Sequence, residues 1–100
     1  ITVCDEEGLI LEMNDKAAKT FEKDGGYKLI GSNMLDCHPD SARKKTERLL
    51  AARVKNVYTI EKNGVKKIIY QSPWYKEGEY AGFVELSLEI PLEMPHFIRS

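Results

Sequence analysis

The chain has 100 residues, of which 42% are hydrophobic and 31% charged, with 15 Lys and Arg set against 16 Asp and Glu. That length gives one small domain with a single core, and the even charge balance excludes the clustered basic excess of a nucleic-acid footprint. No apolar run approaches the ~20 residues needed to span a bilayer, no signal peptide is visible, and two cysteines are too few for a disulfide framework. The composition therefore points to one domain over residues 1–100, in a reducing cytoplasm, with no membrane contact and no nucleic-acid partner.

Taken in chain order, Ile1–Cys4 is short and β-branched and predicts a strand, Asp5-Glu6-Glu7-Gly8 a turn, and Leu9–Met13 a second strand. The chain thus opens on a hairpin. Asn14 or Asp15 is placed to cap a helix running to Phe21, with Ala17, Ala18 and Phe21 as its apolar face. Asp24-Gly25-Gly26 ends it. Ser32–Cys37 predicts one helical turn. Pro39 suits the first turn of a longer helix that reaches about Arg53. Ala42, Leu49 and Leu50 face inward in that helix, while Arg43, Lys44, Lys45 and Arg48 read as a solvated face.

The last half is β. Strands are predicted at about Lys55–Lys62, Val65–Lys76 and Glu79–Ile90, joined at Asn63-Gly64 and Glu77-Gly78 and closed off by Pro91 and Pro95. With two-residue loops in both hairpins, Tyr58 opposes Ile69, Asn56 opposes Gln71, Ile69 opposes Leu86 and Gln71 opposes Val84. Alternation then places Tyr58, Ile60, Ile69, Gln71, Val84, Leu86 and Leu88 on the core face. Val57, Thr59, Ile68, Tyr70, Ser72, Trp74, Phe83, Glu85 and Ser87 fall on the other. One antiparallel sheet with helices on one face is an α+β architecture.

Four stretches in this order carry a resemblance. Asp5-Glu6-Glu7-Gly8-Leu9-Ile10 matches a "D-x-x-G-x-I" opening hairpin, Met13–Ala18 an "x-N-x-x-A" helix start, Leu29-Ile30-Gly31-Ser32-Asn33 an "L-I-G-x-N/S" step, and Ala81-Gly82-Phe83-Val84 the start of a last strand. Together they resemble the PAS (Per-Arnt-Sim) sensory domain family over nearly the whole chain. The resemblance implies a five-stranded antiparallel sheet of order 2-1-5-4-3 with short helices on one face. It also implies a small-molecule cavity between sheet and helices, relay by protein–protein contact, and no catalysis. Many relatives end in an Asp-Ile-Thr run that leads into a signalling helix. Here Leu88-Glu89-Ile90-Pro91 stands in its place, which points to a stand-alone protein or to a different connector to an output domain.

Within that frame, Tyr58 and Gln71 are polar residues on the expected core face. Each either meets a ligand or is satisfied by a neighbour, water or backbone. Asn56 shares their row and Arg53 ends the long helix. Met34, Leu50, Ile60, Ile69 and Leu86 complete the expected pocket. Cys37-His38-Pro39 offers a thiol and an imidazole for haem or redox chemistry, against a reading of Cys37 as a small buried residue and His38 as the lead into the helix. Haem-binding relatives place a His within the long helix, and residues 39–53 contain none. A flavin adduct needs a Cys where this chain has Met34. No zinc pattern, nucleophile elbow or phosphate loop occurs, and no metal is expected. Tyr70, Trp74 and Phe83 are the expected anchors of a homodimer through the outer sheet face, unless Met94–Arg99 folds back over it.

Overall fold

The computed structural model describes residues 1–34 and 40–100, the latter without the side chains of residues 40–43, 45 and 46. Strands β1 (Thr2–Asp5) and β2 (Ile10–Met13) form the opening hairpin, helix α1 (Asp15–Thr20) and two 3-10 turns follow, and helix α2 (Asp40–Ala52) leads into β3 (Asn56–Lys62), β4 (Val65–Lys76) and β5 (Glu79–Ile90). The strands make one antiparallel sheet of order β2-β1-β5-β4-β3. The second half of the expected helical turn at 32–37 falls outside the described residues, and with it Cys37, His38 and Pro39.

Local chemistry accounts for the elements. The Asp5 carboxylate accepts the backbone N–H of Glu7 and of Leu9, each at 2.9 Å, and so closes the first hairpin. The Asn14 side chain accepts the Ala17 N–H at 3.0 Å, which caps α1 and turns Ala17 and Ala18 into the core. Asn63 and Gly64 have φ of 53° and 80°, the paired left-handed conformations of a tight hairpin loop. That loop sets the β3–β4 register as expected, with Tyr58 opposite Ile69 and Asn56 opposite Gln71.

The β4–β5 register differs from expectation. Lys76 opposes Glu79, as a two-residue loop requires, but the pairing slips by one between Trp74 and Tyr75, so that Ile69 opposes Ser87 and Gln71 opposes Glu85. Ala81 is the extra residue of this β-bulge. A one-residue slip turns every following side chain to the other face. Phe83 and Glu85 therefore join the helix-covered inner face, while Val84, Leu86 and Leu88 move to the outer one. The expected core positions of Val84, Leu86 and Leu88 are corrected accordingly.

Gly82 sits in the bulge at φ 148°, opposite both Asp5 and Trp74. A Cβ there would overlap the Cys4 carbonyl and the Asp5 backbone. Glycine is thus what lets β1 and β5 close at this point. The Trp74 indole N–H reaches past Gly82 and donates to the Cys4 carbonyl at 3.0 Å, tying β4 to β1 across β5.

Burial concentrates on the inner face of β1, β2 and β5. Cys4, Leu50 and Phe83 form one cluster, and Ile10, Met13 and Ala17 a second, with Met34 packed against both. β3 is the exception. All seven of its residues are exposed, Tyr58 at 43% and Ile60 at 41%, although both lie on the inner face as expected. Residues Pro91–Ser100 follow β5 without helix or strand and stay exposed, Phe97 at 71% and Ile98 at 90%, so they do not seal the outer face.

Candidate functional site

The site lies where the inner face meets the end of α2. Thr2 and Cys4 from β1, Phe83 and Glu85 from β5, and Gln71 from β4 form its floor, with Leu49, Leu50 and Met34 over it. The lining is almost wholly apolar, and the cavity, open on one side, has a volume of about 30 Å³. That is the share of liquid volume held by one water. Drug-sized ligand pockets enclose roughly ten times as much or more.

One polar chain crosses this wall. Asn56 donates its side-chain amide to the Gln71 carbonyl oxygen at 3.0 Å, and Gln71 donates its own amide toward a Glu85 carboxylate oxygen at 3.4 Å. The row Asn56–Gln71–Glu85 is a direct product of the slipped register, because those three residues oppose one another on β3, β4 and β5. Burial, and secondarily the nearby Glu85 charge, raises the Tyr58 hydroxyl's pKa. Burial also raises the Cys4 thiol, ahead of the smaller opposing effect of a backbone hydrogen bond from Phe83. A raised, buried thiol is protonated and unreactive at neutral pH.

Of the expected pocket residues, Met34, Leu50 and Gln71 come together here. Ile69 is buried on the same face and Asn56 joins through Gln71. Tyr58 and Ile60 lie further out along the uncovered part of that face. Leu86 opposes Tyr70 and belongs to the outer face, for the register reason given above. Arg53 is elsewhere. It takes a left-handed φ of 55° just past α2 and lays its guanidinium 4.6 Å from the Tyr80 ring centre, while the Tyr80 hydroxyl donates to the Leu50 carbonyl at 3.0 Å. This pair lines a separate open groove with Glu6, Tyr75 and Glu79.

The expected interface anchors divide three ways. Tyr70 is half-buried on the outer face with the Lys55 ammonium 5.3 Å over its ring. Trp74 is half-buried with its N–H already bonded to Cys4. Phe83 is 5% exposed inside the core and is no surface anchor. The slip compensates by bringing Val84, Leu86 and Leu88 beside Val3, Ile68 and Tyr70, so the outer face is more apolar than expected.

No protein-family model matches the chain, and no curated protein matches it. Solved structures do. The Aer2 receptor of Vibrio cholerae, described as a dual PAS-heme oxygen sensor, superposes with a TM-score of 0.62 over 90% of this chain and 92% of that one, at 18% identity. The chain has the PAS fold. In PAS terms the described inner site is the space between sheet and helices, and its described lining leaves about 30 Å³. The expected haem or redox donors His38 and Cys37 lie outside the described residues. Among the described residues, no three of His, Cys, Asp and Glu come together as metal donors, and no helix is long and apolar enough to cross a membrane.

Thr2, Cys4, Leu49, Val84, Phe83 and Glu85 line the site although none is an expected pocket residue. A signal for the last two stood in the sequence. A glycine inside a strand marks a bulge, and a bulge at Gly82 alone moves Phe83 and Glu85 inward.

Proposed function

We propose that the chain is a PAS sensory module that takes a small molecule between the sheet and the end of α2 and passes the change through its outer sheet face to a separate signalling partner or output domain. The observation that carries this reading is the Asn56–Gln71–Glu85 chain set into an otherwise apolar wall. Ligand sites characteristically combine an apolar lining with a few convergent polar groups. An amine, amide or hydroxyl on the ligand competes with Gln71 for the Glu85 carboxylate, and a ligand carbonyl takes the amide that Gln71 then frees.

With room for one water, binding requires Leu49, Leu50 or Met34 to move. The ligand therefore selects a state in which the end of α2 has lifted from the sheet. It can shift that equilibrium only by the difference between its affinities for the two states. In this reading the domain performs no catalysis of its own.

Native mass spectrometry of the purified protein tests it. A retained small molecule, lost in Gln71→Leu, supports the proposal. A bare polypeptide mass in both proteins, with no thermal stabilisation by small amines, amides or carboxylic acids, removes the ligand. The small cavity and the apolar outer face favour a second reading, a ligand-free interaction module, and the bare-mass outcome selects it.

A further inference from the structure

The two edges of the sheet are treated differently. The β2 edge is occupied: Ile10 donates its N–H to the Ser32 carbonyl at 2.9 Å, and Gly31 donates to the Ile10 carbonyl at 2.8 Å. β3 has β4 on one side and none of the described residues on the other. Lys62 and Val65 close a two-residue loop and form a hydrogen-bonded pair, and such pairs alternate along an antiparallel ladder. Asn56, Tyr58, Ile60 and Lys62 therefore bond to β4, while Val57, Thr59 and Glu61 turn their N–H and C=O groups outward.

Nothing among the described residues blunts this edge. Protected edge strands are short, bulged, proline-bearing or charged along their length. β3 runs for seven residues, pairs with β4 without a register shift, has no proline, and carries charge only at Glu61 and Lys62.

We propose that β3 is a docking edge for a second copy of this chain, joined antiparallel about a two-fold axis through Thr59. The strand's own sequence argues for this occupant. Outward groups must meet outward groups, and the register centred on Thr59 pairs the whole strand with itself. Thr59 meets Thr59 and Val57 meets Glu61, with two backbone bonds at each of these three pairs. Tyr58 then lies beside the partner's Ile60 on the inner side, twice by symmetry. This is an aromatic and β-branched pairing of the kind that stabilises neighbouring strands, and it covers the two inner-face residues that α2 leaves bare. No like charges oppose each other. A closed two-fold contact of this kind uses the same strand on both copies, and it leaves both outer faces side by side and free.

Sedimentation velocity over a concentration series, combined with residue-resolved amide exchange, tests the proposal. The expected result is a dimer whose formation protects the amides of Val57, Thr59 and Glu61 in step with concentration. Thr59→Pro removes one outward N–H without touching the β4 ladder, as proline is tolerated on an edge. It is expected to weaken association by about tenfold or more, with an unchanged far-ultraviolet circular dichroism spectrum. Thr59→Lys keeps the N–H and brings like charges together on the axis, with the same expected loss. A chain that is monomeric throughout overturns the proposal. So does concentration-independent exchange at those three amides, or a dimer that survives both Thr59 variants. A dimer that survives them but is lost in Leu86→Glu assigns the contact to the outer face instead.

Discussion

The two halves of the sheet are built to different standards. In the β2-β1-β5 half, Cys4, Ile10, Met13 and Phe83 are all below a tenth exposed, and the helices cover them. In the β3 half, Tyr58 and Ile60 lie on the same inner face yet remain about two-fifths exposed. Strand sequence alone does not make this difference, since Val57, Tyr58 and Ile60 are as β-prone as anything in β1. What differs is the layer above. Among the described residues, Leu50 and Met34 meet Cys4, Ile10 and Phe83 and none of strand β3. A strand becomes core only where a second layer reaches it.

The comparison can be broken most severely at Gly82. Gly82→Ala forces a side chain into the Cys4 carbonyl and the Asp5 backbone and is expected to cost ~3 kcal/mol or more, read by thermal or urea unfolding. A loss below ~1 kcal/mol would mean that β1 and β5 part easily here. Leu50→Ala is next, at ~2–4 kcal/mol for a buried leucine. Ile60→Ala, on the same inner side but in the open half, should cost under ~1 kcal/mol in the monomer. Equal losses at the two positions would erase the distinction between the halves. Trp74→Phe keeps the ring but leaves the Cys4 carbonyl without its donor, and ~1–2 kcal/mol is expected from the same unfolding curves.

The smallest effect is alkaline. The Cys4 thiol is raised in the folded protein, chiefly by burial. A proton held more tightly when folded stabilises fully below the unfolded cysteine pKa, about 8.5, and that stabilisation is lost as pH climbs through the folded value. The melting temperature should therefore begin to fall above about pH 8.5, and Cys4→Ala should remove this early part of the decline. Tyr58 and Tyr80 are raised too, chiefly by burial, and add a later fall that starts near pH 10, the ordinary tyrosine value. A pH profile identical in Cys4→Ala and the parent would contradict the thiol's part.

Much of this architecture could be read from the residues. Asn63-Gly64 fixed one hairpin register, because two consecutive positive φ values suit few other residue pairs. The strand order followed from the family resemblance. The second hairpin register was legible at its loop, where Lys76 does oppose Glu79, and wrong beyond it. Ala81-Gly82 resembles the start of a strand motif, whereas its physical meaning is a bulge. One inserted residue is enough to turn Leu86 outward and to bring Phe83 and Glu85 to the site. Met34, Leu50 and Gln71 come together because their faces do not depend on that slip. Arg53 stands apart from this cluster because its left-handed backbone directs it toward Tyr80, and a left-handed arginine has no signature in sequence.

The indole that spans β5 has a consequence for how the fold can yield. A bond from β4 to β1 over an intervening strand makes those three strands one girder, so sliding of one against the next is resisted where Trp74 crosses. Deformation is left to the free margin at β3 and to the seat of α2. Because the chain contains one tryptophan, its emission spectrum watches that crossing alone. A wavelength that holds steady while the rest of the domain responds would be the optical signature of a stiff frame carrying a compliant rim.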